Sequence, residues 1–147
     1  MATVANLLDS KGHNVLTVTP DTVVQAALEK MIGWTAGTAV VMEDGQVVGV
    51  LSEHDVIRKV VLTGESAAVI LAREVMSTRL TTVTPETLLD ECMQLMTAKR
   101  IRHLPVLREG HLYGIISIGD VVKYLLTEKN FKIKNLETYI NGSQSAA

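Results

Sequence analysis

GVLSEHDV, residues Gly49–Val56, recurs 65 residues later as GIISIGDV, Gly114–Val121. Each is an apolar run that stops at Ser-x-x-Asp, with a glycine three residues before the serine. The match spreads outward from these two stretches. VTPDT (Val18–Thr22) falls on VTPET (Val83–Thr87), and Asp44-Gly45 falls on Glu109-Gly110. Residues 15–60 laid without a gap on 80–125 share 12 identities in 46 pairs, where ordinary residue frequencies give roughly 3. The chain is a duplication, and two half-size units normally stack to complete a shared core.

Each copy reads as β-α-β-β-α. A short strand comes first (Leu16–Val18; Thr81–Val83), and Thr-Pro ends it because proline pre-sets a turn or a helix start. Helices are predicted over about 21–33 and 86–99. Their apolar faces, Val24, Ala27, Leu28, Met31 and Leu89, Cys92, Met93, Met96, follow the i, i+3, i+4, i+7 spacing. Hairpins follow, with strands 39–43 and 46–51 around Asp44-Gly45 and strands 103–108 and 111–116 around Glu109-Gly110. A last helix begins near Ser52 and near Ser117. The connecting stretch 65–79 is expected to hold a short helix around Ala67–Arg73. The final helix is expected to run past Glu128, with a break on the way, through Phe131, Leu136, Tyr139 and Ile140 to a stop at Asn141-Gly142, ahead of a frayed SQSAA tail.

Composition narrows the function. The net charge of −2 argues against a duplex nucleic-acid binder, which needs a basic excess. Aromatic residues are 3%, too thin for a stacking surface on single strands. One cysteine, Cys92, excludes an internal disulfide and suits a reducing cytoplasm. MATVANLL does not read as a secretory signal, and no apolar run approaches the roughly 20 residues that span a bilayer. The four histidines are dispersed and Cys92 stands alone, so no metal site is expected. No Walker-type loop or Gly-x-Ser-x-Gly occurs.

Ser-x-x-Asp has two readings. Serine at a helix N-cap with an acid at N3 is a capping box. A helix N-terminus with a hydroxyl is also an anion site, and a carboxylate one turn in can accept hydrogen bonds from vicinal ribose hydroxyls. Gly49 and Gly114 imply close approach by something, ligand or protein. Arg58 and Lys123, one turn further on at matching positions, are candidate phosphate cations.

These residues together resemble the cystathionine-β-synthase (CBS) domain family, and the pair resembles a tandem CBS or Bateman module. VTPDT and VTPET, GVLSEHDV and GIISIGDV, RHLPV (Arg102–Val106) and EVMST (Glu74–Thr78) carry the likeness. It implies an α+β fold. Two repeats, 4–64 and 80–128, pack sheet to sheet about a pseudo-two-fold axis, with a linker at 65–79 and a C-terminal extension at 129–147. It also implies two clefts for adenosine-bearing ligands: AMP first, then NAD(H), ADP or ATP, and S-adenosylmethionine. By resemblance the second cleft uses Thr81, Thr82, Arg102, His103, Leu104, Pro105, Ser117 and Asp120. The first uses Leu16, Thr17, Thr38, Ala39, Ser52 and Asp55. The resemblance also makes Arg58 and Lys123 candidates to point into the cleft of the opposite site. Thr38 and Val40 stand where the second copy has His103 and Pro105, so the second cleft is expected to be the tighter.

The expected function is a non-catalytic regulatory module that acts in trans on a partner not identified by the sequence. It is expected to form a homodimer and to touch neither nucleic acid nor membrane. The alternatives are a structural pairing domain with vestigial sites, and an adenine-nucleotide hydrolase or transferase, for which no base or metal ligands are found.

Overall fold

The computed structural model describes residues 1–145. The element order is α1 (Val4–Lys11), β1 (Thr17–Val18), α2 (Val24–Trp34), β2 (Thr38–Glu43), β3 (Gln46–Ser52), α3 (Glu53–Val56) continuing into a π-helical turn (Ile57–Val61), α4 (Ala72–Val75), α5 (Leu89–Lys99), β4 (His103–Arg108), β5 (His111–Ser117) and α6 (Ile118–Ser145). The fold is α+β.

The duplication is exact in register. Thr38 pairs with Ser52 and His103 with Ser117. Both hairpins shift register at the same place, between Val41 and Met42 and between Val106 and Leu107. Both turns need positive φ at two successive residues. Asp44 and Gly45 have φ of 51° and 76°, and Glu109 and Gly110 have 51° and 79°. Glycine supplies the second position without strain.

One difference lies beside the second cleft. β1 pairs with β2 in parallel, and the Val40 N–H donates to the Leu16 carbonyl at 2.9 Å. Pro105 takes Val40's place and has no N–H. The Thr81 carbonyl, equivalent to that of Leu16, therefore loses this donor, and pairing shrinks to a single bridge, Val83 to Val106.

Helices α2 and α5 bury the predicted faces: Val24, Ala27 and Met31, and Leu89, Cys92 and Met96. Burial pushes the Cys92 thiol up to about 11, so it stays protonated at neutral pH. Both helices start three residues later than expected, because Thr19–Thr22 and Thr84–Thr87 close hydrogen-bonded turns first. The linker helix lies at Ala72–Val75 rather than around Ala67–Arg73. Helix α6 passes through Asn141-Gly142 without stopping; one glycine costs only about 1 kcal/mol in a helix. Of the tail expected to fray, 143–145 are helical and 146–147 lie outside the described residues.

The lead helices are exchanged. Helix α1 buries Val4, Leu7 and Leu8 in the core of the second repeat, and α4 buries Ala72 and Val75 in that of the first. Their backbone contacts match pair for pair. Val4 N–H donates to the Thr87 carbonyl and Ala72 N–H to that of Thr22, both at 2.8 Å. Thr3 bridges Leu88 as Leu71 bridges Val23. The exchange accounts for the strand glycines. A Cβ on Gly114 would lie 2.9 Å from Leu8 Cδ1, and one on Gly49 would lie 2.5 Å from Met76 Sδ. What approaches these glycines is the lead segment that packs on each repeat.

Candidate functional site

The second cleft is built where β4 begins and β5 ends. The Ile118 N–H donates to the Arg102 carbonyl at 2.9 Å, which ties the start of α6 to the residue before β4. Ser117 then caps α6. Its hydroxyl accepts from the Asp120 N–H at 3.0 Å, and its own N–H donates to Asp120 Oδ2 at 2.9 Å. Capping is therefore present in full. Asp120 keeps a second role available, because a carboxylate has about four acceptor positions.

Lys11, the last residue of α1, is the residue the sequence did not point to. Its Nζ lies 2.6 Å from Asp120 Oδ2 and donates to the Ile115 carbonyl at 2.7 Å. Burial pushes the Asp120 carboxyl up, but the hydrogen bonds from Lys11 and Ser117 and the Lys11 charge outweigh it. The carboxyl sits below its ordinary value and is an anion at neutral pH. Beside it a cavity of about 550 Å³ opens between α1 and α6, lined among others by Ser10, Lys11, Asp120, Lys123 and Thr127. Matching α1 to the segment from Ala72 puts Lys11 opposite Arg79 and Ser10 opposite Thr78. That offset is 68, not 65, and the segments share no identity, so no repeat signal marks Lys11.

His103 stands between the repeats, which meet through β3 and β5. Its Cε1 would be 3.5 Å from a Cβ on Gly37, the residue before β2, and Glu53 Oε1 faces the same point at 3.7 Å. Burial holds the imidazole below its ordinary value, against the pull of Asp120 and Glu53 and with the push of Lys11 and Arg102. Thr81 and Thr82 are half-buried and Arg102 is exposed. The Leu104 and Pro105 side chains are buried, so any contact they make with a ligand goes through backbone.

The first cleft repeats the frame with different charges. The Glu53 N–H donates to the Gly37 carbonyl at 3.1 Å. The Ser52 hydroxyl lies 2.9 Å from Asp55 Oδ2 and accepts from the Asp55 N–H at 3.2 Å. Asp55 is 8% exposed, and the guanidinium of Arg58 reaches it at 3.5 Å. Leu16 and Ala39 are core side chains, while Thr17 is exposed. Thr38 is 4% exposed, and its hydroxyl has no hydrogen-bond partner among the described residues. Lys123 is exposed and lines the cavity of its own repeat. No group of three or more His, Cys, Asp or Glu suited to a metal occurs among the described residues, and no described helix is long and apolar enough to cross a membrane.

Comparison with known proteins gives the same outline. The CBS domain model matches residues 9–62 and 72–127. The chain is 35% identical over 149 residues to the mitochondrial CBS domain-containing protein CBSX3 of Arabidopsis thaliana, covering 95% of this chain and 72% of that protein. A solved structure from Burkholderia ambifaria, named as a signal-transduction protein with CBS domains, is 39% identical with a TM-score of 0.83, over 86% of this chain and 95% of that one. A hexameric CBS-CP12 protein from bloom-forming cyanobacteria is 25% identical with a TM-score of 0.73, over 83% and 70%. Two matched repeats in one chain, with the same register and a reciprocal exchange of lead helices, make this protein a tandem pair of the CBS domain family.

Proposed function

We propose that this protein is a regulatory module that binds an adenosine-bearing nucleotide without consuming it and signals in trans to a partner protein. AMP is the first candidate, followed by NAD(H), ADP or ATP, and S-adenosylmethionine. One observation carries the reading: Asp120 is held as an anion at the first turn of α6, beside a cavity that also presents Lys11 and Lys123. A ribose taking the Asp120 oxygens displaces the Lys11 ammonium, which is then free to meet the phosphate of the same ligand. The Thr81 carbonyl, which loses its donor to Pro105, suits an adenine amino group. The unpartnered Thr38 hydroxyl supports a second, weaker site in the first cleft.

The same reading makes the protein a homodimer. Ile57, Val61 and Leu62 on one helix and Val122 and Leu126 at the matching face of α6 are exposed apolar side chains, and so is Trp34. The hexameric relative supports self-association. A cytoplasmic setting suits the single free cysteine, Cys92, and the mitochondrial relative from Arabidopsis makes the mitochondrion the competing location.

A second reading, a pairing domain with vestigial sites, is favoured by the complete capping boxes at Ser52–Asp55 and Ser117–Asp120. A thermal-shift screen separates the two. A ligand at 100 times its dissociation constant adds about 2.7 kcal/mol, a shift of several degrees for a chain of this size. No shift with any of these nucleotides at millimolar concentration leaves the pairing domain as the better account.

A further inference from the structure

Helix α6 stands clear of the body at its described side chains from Lys129 to Ile140. Every described side chain from Lys129 to Ile140 is exposed, including Ile133 at 45% and Leu136 at 62%. A lone helix of this length is marginal in water and normally depends on packing of an apolar face. The apolar spacing here is not that of a helix lying on a globular core. Leu126, Ile133 and Ile140 fall seven residues apart, and Val122, Lys129 and Leu136 repeat the same step with a lysine at the centre. The two series are offset by three and four residues, which is the a/d seam of a coiled coil. Val122 and Leu126 are exposed as well, so the seam starts on the body and continues outward along one face.

We propose that α6 pairs with α6 of a second copy as a parallel, in-register coiled coil along Val122–Ile140. This rests on the homodimer reading above and gives that dimer its surface and orientation. Leu126, Ile133 and Ile140 take the a positions, and Val122, Lys129 and Leu136 take d. In the heptad of Ile133 and Leu136 the pair is isoleucine at a with leucine at d, the combination that favours two parallel strands. The flanking charges fix the direction. Lys132 falls at g and Glu137 at e, and in a parallel pair g faces e of the next heptad on the other helix. Lys132 thus meets the partner's Glu137, twice by symmetry. An antiparallel pair sets g against g and e against e, and loses both contacts. Lys129, at a d position, lays its aliphatic stem in the seam with its ammonium at the edge, at a cost in stability. Because Asp120 lies in the first turn of the same helix, this pairing sets the two second clefts level with each other on either side of the two-fold axis.

Two measurements on the full chain test this. Leu136→Cys should form a disulfide-linked dimer under mild oxidation, because identical d positions lie level in a parallel pair. The unmodified chain, whose cysteine is buried, should not. The double variant Ile133→Glu/Leu136→Glu should sediment as a monomer at tens of micromolar, where the parent chain sediments as a dimer. Its nucleotide-induced thermal shift should be retained, because neither residue lines a cleft. A dimer that persists in the double variant, or a Leu136→Cys chain that fails to cross-link while still dimeric, overturns the coiled coil and leaves the homodimer standing. A parent chain that is strictly monomeric at that concentration overturns both.

Discussion

Lys11 Nζ lies 2.6 Å from Asp120 Oδ2, so a cation on the helix exchanged between repeats neutralises the carboxylate at the first turn of α6. The contact joins residues 109 positions apart. Replacing Lys11 by Met should raise the Asp120 pKa, since burial then acts with less opposition. A carboxyl NMR titration of parent and Lys11→Met checks this. The sign for stability follows. A carboxyl whose folded value is depressed stabilises above its unfolded value and loses that contribution as pH falls through the folded one. Lys11→Met should therefore be less stable than the parent at neutral pH and lose less of its stability on acidification, the two chains converging at low pH.

His103 sets a second pH dependence. Its imidazole sits below the ordinary 6.5, chiefly through burial. The unfolded chain then takes up the proton first as pH drops, so stability should fall as pH goes below 6.5 toward the folded value. Melting curves between pH 8 and pH 5 should show the fall, and His103→Gln should flatten it. An unchanged slope in His103→Gln would assign the dependence to other groups.

Gly49 and Gly114 offer a packing test of the exchanged helices. A Cβ on Gly114 meets only the branched end of Leu8, whereas one on Gly49 meets Met76 and also the Ser77 carbonyl at 3.1 Å. Both Ala substitutions should destabilise, by about 1–3 kcal/mol for overpacking, and Gly49→Ala should cost more because backbone cannot step aside. Leu8→Ala should partly rescue Gly114→Ala in a double-mutant cycle. Additive losses would mean that Leu8 does not press on Gly114 in solution.

The parts of this structure that local pattern controls were legible in the sequence. The hairpins follow from Asp44-Gly45 and Glu109-Gly110, and the buried faces of α2 and α5 follow from their periodicity. The helix starts were missed by three residues because Thr19–Thr22 and Thr84–Thr87 close turns that compete with the helix for the same backbone groups. The exchange of α1 and α4 was out of reach, since nothing local says which repeat Val4, Leu7 and Leu8 cover. Lys11 was missed for that reason, and the two strand glycines were left open between ligand and protein. The recurrence of the Ser117–Asp120 spacing singles out Asp120, though recurrence alone does not separate a cap from a ligand acid.

Calorimetric titration of AMP into the parent chain and into Asp120→Ala, beside melts without ligand, separates them and tests the central claim. If Asp120 holds a ribose, the substitution should weaken binding by about 1.5–3 kcal/mol, the scale of hydrogen bonds to a charged group, or roughly 10- to 150-fold. Asp55→Ala should weaken it less. Loss of the cap should separately lower the ligand-free stability by about 1 kcal/mol. A lowered melting point with AMP affinity equal to that of the parent would contradict the account and leave Ser117–Asp120 as a helix cap alone.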